Sequence, residues 1–142
     1  MLKKVSLIVF FIILLATGFL FLERRQMPET TNEMVAEAKN FGLAQGKEAP
    51  PRSFVFDGCT LFLDGFGDSS FLSACLDHDI AYYYGGTQEE RLMADKIFKD
   101  DISQSGQVGK VFQYPMYWAV RLLGDSFIAR LQNASWGFGY NQ

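Results

Sequence analysis

Two successive glycines, Gly85-Gly86, divide a stretch of helical pattern in this sequence, and the division dictates how the chain around it must fold. Upstream, Phe71 to Tyr84 runs without Gly or Pro, with Ser69-Ser70 as N-cap candidates. Downstream, Thr87 and Glu90 have the spacing of a capping box, which opens a second helix to about Ile102. Two helices joined by so short a turn must lie side by side and roughly antiparallel. A third helix is expected from Gln113-Tyr-Pro115, broken at Gly124 and resumed to about Leu131. No strand pattern is evident, so the expected fold class is all-α.

Polar residues mark one face of each helix in the pair. Cys75, His78, Asp79 and Tyr82 stand at offsets of 0, 3, 4 and 7 and share one stripe of the first helix. Leu92, Asp95, Phe98 and Ile102 stand at offsets of 0, 3, 6 and 10 on the second, which puts a carboxylate in a row of hydrophobes. An unpartnered buried charge costs several kcal/mol, so Asp95 requires a hydrogen-bonding partner across the pair. His78 is the only histidine in the chain and the obvious partner. In that arrangement Asp95 fixes the tautomer of His78 and stabilises the imidazolium that forms when the other ring nitrogen takes a proton from water. The blander partner for Asp95 is Arg91, four residues earlier on the same surface.

One histidine excludes paired-imidazole zinc chemistry, and two cysteines with one histidine cannot complete a zinc site. Asp79, about 100° around the helix from His78, is free to bind a hard cation, which then needs further oxygens. The loop Asp57 to Gly65 offers backbone carbonyls if it is held near Asp79. A bridge between Cys59 and Cys75 would hold it; two separate thiols remain the alternative. Gly67-Asp-Ser-Ser70 and Gly124-Asp-Ser126 are turn and cap residues, because a nucleophilic serine of that type needs a parallel sheet. Met116 to Leu131, with its Tyr, Trp, Leu and Phe, is read as covering the core in preference to docking on lipid.

The amino-terminal region is of another kind. Val5 to Leu22 is an uncharged run of 18 residues between Lys3-Lys4 and Glu23-Arg24-Arg25. As a helix it spans about 27 Å, close to the hydrocarbon thickness of a bilayer. Residues 1–25 are therefore expected to be a membrane anchor or a signal peptide, 26–52 a polar tether with one weak helix near Asn32 to Asn40, and 53–142 the folded domain. If the N-terminus stays in the cytosol, either reading of residues 1–25 carries the domain across a membrane, anchored if the segment is kept and secreted if it is cleaved, where a disulfide is stable and calcium plentiful. From Met27 onward nine basic side chains face fifteen acidic ones, a net −6, which argues against a nucleic-acid partner.

Taken together, Cys75-Leu-Asp-His78-Asp79-Ile-Ala-Tyr82 resembles the active-site helix of the secreted phospholipase A2 superfamily. Gly85-Gly86-Thr87 and Arg91-Leu-Met-Ala-Asp95 look closer to its small bacterial and fungal branch, and the resemblance covers about Phe56 to Ile102. It implies an antiparallel two-helix core with a disulfide-pinned calcium loop, the disulfide joining Cys59 to Cys75. It implies His78 as general base, Asp95 as the orienting acid, Tyr82 as the hydroxyl that supports it, and calcium held by Asp79 with the carbonyls of Gly58, Thr60 and Phe62. The activity implied is calcium-dependent hydrolysis of phospholipid acyl esters, at the sn-2 position, on a phospholipid membrane. Leu61-Phe62-Leu63 is bulkier than that family's glycine-rich loop, and the alternative is a catalytically silent domain of the same fold that binds calcium, lipid or a protein.

Overall fold

A computed structural model describes residues 29–60, 62–67, 69–131 and 134–140. Among them the chain forms five helices and one small hairpin: α1 (Asn32–Ala44), β1 (Gly65–Phe66), β2 (Ser69–Ser70), α2 (Leu72–Tyr84), α3 (Gln88–Gln104), α4 (Gln107–Leu123) and α5 (Phe127–Leu131). The expected anchor or signal segment, 1–25, lies outside the described residues, and among those described no helix is long and apolar enough to cross a membrane.

The α2–α3 pair forms for the local reasons legible in the sequence. Gly85, at φ +60°, ends α2 in a conformation that L side chains rarely adopt. The capping box then starts α3: Glu90 N–H donates to Thr87 Oγ1 at 3.1 Å and Thr87 N–H to Glu90 Oε2 at 2.7 Å. Lys47 reaches this turn from α1's end, donating to the Gly85 carbonyl and pairing with Glu90 at 3.1 Å. The last carbonyls of α2 have no partners within the helix, and the 136–140 segment supplies them. Gly137 N–H donates to Tyr82 O at 2.7 Å and Gly139 N–H to Tyr83 O at 3.1 Å.

Four expectations are corrected. Ser69 and Ser70 do not cap α2; they form β2, antiparallel to β1 with Gly65 opposite Ser70, and Phe71 takes the N-cap position without a side-chain bond. The chain thus has a hairpin within an otherwise helical fold. The stretch 26–52 is not simply a tether, because α1 runs to Ala44 and packs on α2. Ala38 is buried in the core, and Gly42 lies so close to the Tyr84 ring that a Cβ there would collide with it. The boundary expected at Ser53 therefore does not separate α1 from the folded body. The third helix, α4, begins at Gln107 and not near Pro115, which sits inside it. Proline costs a helix one backbone bond, and here the freed carbonyl belongs to Val111, an exposed residue.

Buried Arg91, Asp95, Phe98 and Ile102 form the inner face of α3. Gly109 of α4 lets the two helices close up, since a Cβ there would meet the Ile102 carbonyl. Phe54, Phe56, Phe71, Ile80, Tyr82, Met116 and Phe138 complete the core around α2.

Candidate active site

Asp95 is the fixed point of the site, with none of its surface exposed. His78 Nε2 lies 2.8 Å from Oδ1, the Tyr82 hydroxyl donates to the same oxygen at 2.8 Å, and Arg121 Nη1 donates to Oδ2 at 2.6 Å. Burial pushes the Asp95 carboxyl up, but the bonds from His78, Arg121 and Tyr82 outweigh it and hold the group below its ordinary range. Asp95 is therefore ionised and accepts only. That places the shared hydrogen on His78 Nε2, so that in the neutral imidazole the lone pair is on Nδ1. The rings of Tyr82 and Phe98 pack against it, with centroids 4.2 and 4.6 Å away and planes tilted by 35° and 37°. Tyr82 is itself fixed as a donor: burial first, and then the Asp95 charge, raise its phenol far above the usual value.

The expected trio His78, Asp95 and Tyr82 is thus brought together. Two arginines that hold it were not foreseen. Arg91 is buried and does not make the alternative surface pairing with Asp95; Nε donates to the Tyr82 hydroxyl at 3.2 Å, and Nη2 donates to the Val120 and Arg121 carbonyls, each at 3.2 Å. These bonds also tie α3 to the end of α4. Ser126 behaves as a cap residue, accepting from Ala129 N–H at 3.3 Å at the start of α5.

A disulfide joins Cys59 to Cys75 with Cα atoms 5.3 Å apart, so the loop after Phe56 is fastened to α2 one turn before Asp79. Within the loop, Cys59 N–H donates to Asp64 Oδ1 at 2.9 Å, Phe62 N–H to Cys59 O at 2.9 Å, and Thr60 Oγ1 to Asp57 Oδ1 at 3.0 Å. Gly58, at φ +86°, makes the turn that permits this.

Two clefts meet at this junction. The first has about 650 Å³ of open space including its mouth, and His78, Asp79, Tyr82, Thr60, Phe62, Phe98, Met116, Val120 and Leu123 are among the residues that line it. The second is more polar and is lined by Arg52, Asp57, Thr60 and Asp79 among others. Asp79 and Thr60 belong to both. Of the three expected carbonyl donors, Thr60 lines both clefts with Asp79 and Phe62 lines the first, whereas Gly58 is buried and outside both linings.

Burial, and then the charge of Asp57, push Asp79 well above the ordinary carboxylate range. Burial also raises Asp57, against the lowering effect of its bond from Thr60. Two acids whose charged forms are disfavoured, beside a hydroxyl, offer oxygen donors only, which suits a hard cation and not a soft one. Among the described residues no three His, Cys, Asp or Glu side chains are grouped to hold a metal ion, so main-chain oxygens would have to complete the shell. Asp57 was named from the sequence only as the first residue of the loop expected to offer backbone carbonyls, not for its carboxylate.

No family model, curated protein or solved structure matches this chain. The site's chemistry must carry the functional reading.

Proposed function

We propose that this chain hydrolyses acyl esters of phospholipids, at the sn-2 position, by direct attack of water activated by His78. One observation carries the reading: a histidine locked by a buried, ionised aspartate, with a lone pair on its other nitrogen, lines an apolar cleft beside a cation-suited carboxylate. The phospholipase A2 resemblance of Cys75 to Tyr82 supports the same reading.

Nδ1 of His78 takes a proton from water as its oxygen bonds to the ester carbonyl carbon. The imidazolium, stabilised by Asp95, then passes that proton to the departing glycerol oxygen as the acyl C–O bond breaks. Fatty acid and lysophospholipid leave, and no acyl-enzyme forms. Calcium, when bound, supplies positive charge to the developing oxyanion. Asp79 would hold it with the carbonyls of Thr60 and Phe62, and Asp57 adds a second carboxylate beside them. The apolar side chains that line the cleft receive the acyl chain and exclude bulk water. An oxidising, calcium-rich compartment beyond a membrane suits both the disulfide and the cation, with the chain anchored or secreted through residues 1–25.

The test is fatty-acid release from phospholipid vesicles with and without chelator. Wild type should release fatty acid only when calcium is present, and His78→Gln should lose about 10²- to 10⁴-fold. Equal release by the two proteins at every calcium level defeats the proposal. One observation favours the second reading, a silent domain of the same fold: the Phe62 side chain stands where a glycine-rich loop would leave space. Calcium binding without turnover would select it.

A further inference from the structure

A third groove, larger than either cleft of the candidate site, is shared by α1, α2 and α3, and each helix lends it one face. On α1, Glu37, Phe41 and Ala44 stand at offsets of 0, 4 and 7; on α3, Met93, Ile97 and Asp101 stand at offsets of 0, 4 and 8. Asp77 and Ala81 of α2, one turn apart, lie between them in the lining. The groove has about 1400 Å³ of open space including its mouth. Met93 and Ile97 keep 59 and 51% of their surface exposed within it, a pair of large apolar side chains that the core does not use.

We infer that this groove is the docking site for a basic amphipathic helix of another protein, its apolar residues seated on Phe41, Met93 and Ile97 and its lysines or arginines set against Glu37, Asp77 and Asp101. Charge is the first reason. At the α2–α3 turn, Lys47 and Glu90 also line the groove and neutralise each other at 3.1 Å. Eight residues back along α2 from Gly85, the balance is different: Glu37, Asp77 and Asp101 lie near enough for the charges of Glu37 and Asp101 to act on Asp77, and none of the three pairs with a described lysine or arginine. Burial, then Glu37 and Asp101, push Asp77 above its ordinary range, and burial with Asp100 does the same to Asp101. Cations laid among these acids remove that repulsion. Among the described residues no three acids are grouped to hold one metal ion, so the matching charge is spread along the ligand.

Shape is the second reason. From Glu90 to Asp101 the lining follows α3 for about three turns, or about 16 Å, the reach of apolar anchors at i, i+4 and i+7 on a docked helix. The rival occupants fit less well. An anionic bilayer meets a rim of acids. A second copy of the chain approaches against like charge, since residues from Met27 onward carry a net −6. His78 and Phe98 line this groove as well as the first cleft, so a seated helix lies against the imidazole. The docking site is read from its own lining and stands whatever becomes of the hydrolytic reading.

The experiment uses the full chain in phosphatidylcholine nanodiscs, with chelator to prevent lipid turnover and empty nanodiscs as the blank. The probe is a fluorescein-labelled, four-turn amphipathic helix of leucine and lysine, followed by anisotropy at physiological salt. It should bind with a Kd of about 10 µM or tighter. Glu37→Lys/Asp101→Lys should weaken binding at least tenfold, whereas Glu89→Lys/Asp125→Lys, an equal charge change at exposed sites outside the lining, should stay within twofold. Met93→Ser/Ile97→Ser, which removes exposed side chains only and leaves the fold intact, should weaken it at least fivefold. His78 is the only histidine of the chain, so isotope-labelled histidine gives one ring signal, and that signal should shift as the peptide saturates. Equal weakening by the groove and remote charge variants overturns the inference, because net charge then explains binding. Equal binding of a leucine–glutamate helix overturns it, and so does a His78 signal that stays still at saturation. If wild type binds no peptide, and Met93→Ser/Ile97→Ser turns an associated species into monomers, the groove belongs to a second copy and the inference falls.

Discussion

Arg121 closes the side of Asp95 that His78 and Tyr82 leave open: its Nη1 donates to Oδ2 at 2.6 Å, while the imidazole and the phenol share Oδ1. A carboxylate with no exposed surface is thereby saturated from three directions by two helices. Removing one donor strands a buried oxygen and loosens the acid that orients the histidine. Arg121→Leu should cost about 1–3 kcal/mol in urea denaturation, because a charged acceptor loses its partner inside the protein. Its turnover of phospholipid should fall about 10- to 100-fold, since small misplacements of the base are costly. Unchanged stability would show that Oδ2 finds another donor.

The α2–α3 pair and the Asp95–His78 contact were legible because their signals are local. A double glycine, a capping box and two helical stripes are each read within a few turns. Arg121 and Arg91 were not legible, because a long side chain that reaches across from another helix leaves no periodic trace. Ser69-Ser70 misled for a different reason: the residues that cap helices also form tight hairpins, and only the pairing with Gly65 and Phe66 decides. Pro115 likewise reads as a helix start, and tertiary packing along α3 overrides that preference. α1 was underestimated because, beside Met34 and Phe41, it packs through the small residues Ala38 and Gly42, and the approach of Tyr84 to Gly42 leaves no periodic trace.

The Cys59–Cys75 bridge closes a loop of 16 residues, which in the chain-entropy picture restricts the unfolded state by about 3 kcal/mol. Cys59→Ser/Cys75→Ser should lose about that much in chemical denaturation. If the bridge also positions Thr60 against Asp79, the double variant should need a higher calcium concentration for half-maximal activity, beyond any effect of stability. Loss of stability with calcium dependence unchanged would confine the disulfide to a structural role.

Asp95 and Asp79 should respond to acid in opposite senses. Asp95 is held below its ordinary range in the folded protein, so the native state binds fewer protons there than the unfolded chain. The stability it provides is complete above about pH 5 and is lost as pH falls below the usual carboxylate value of about 4 and on through the lowered one. A pH series of urea midpoints should show wild type ahead of Asp95→Asn at neutrality, with the gap closing in acid. A gap that stays constant to pH 3 would mean that the charge of Asp95 is not what the fold uses.

Asp79 carries the reverse sign. Burial and the neighbouring Asp57 raise its carboxyl well above the ordinary range, so the folded state holds this proton more tightly than the unfolded chain does. Stability is then lost as pH rises from the usual carboxylate value through the raised one, and the loss persists at neutrality. With chelator present, Asp79→Asn should be more stable than wild type near pH 7, by about 1 kcal/mol or several degrees in Tm, and this advantage should vanish near pH 4. Calcium should raise the Tm of wild type and not that of the variant, because a ligand stabilises only the state that binds it. The same substitution should abolish calcium-dependent ester hydrolysis, which would make Asp79 a residue that the fold bears at a cost for the sake of the cation. A variant destabilised at pH 7 in chelator would instead assign the carboxylate a structural partner.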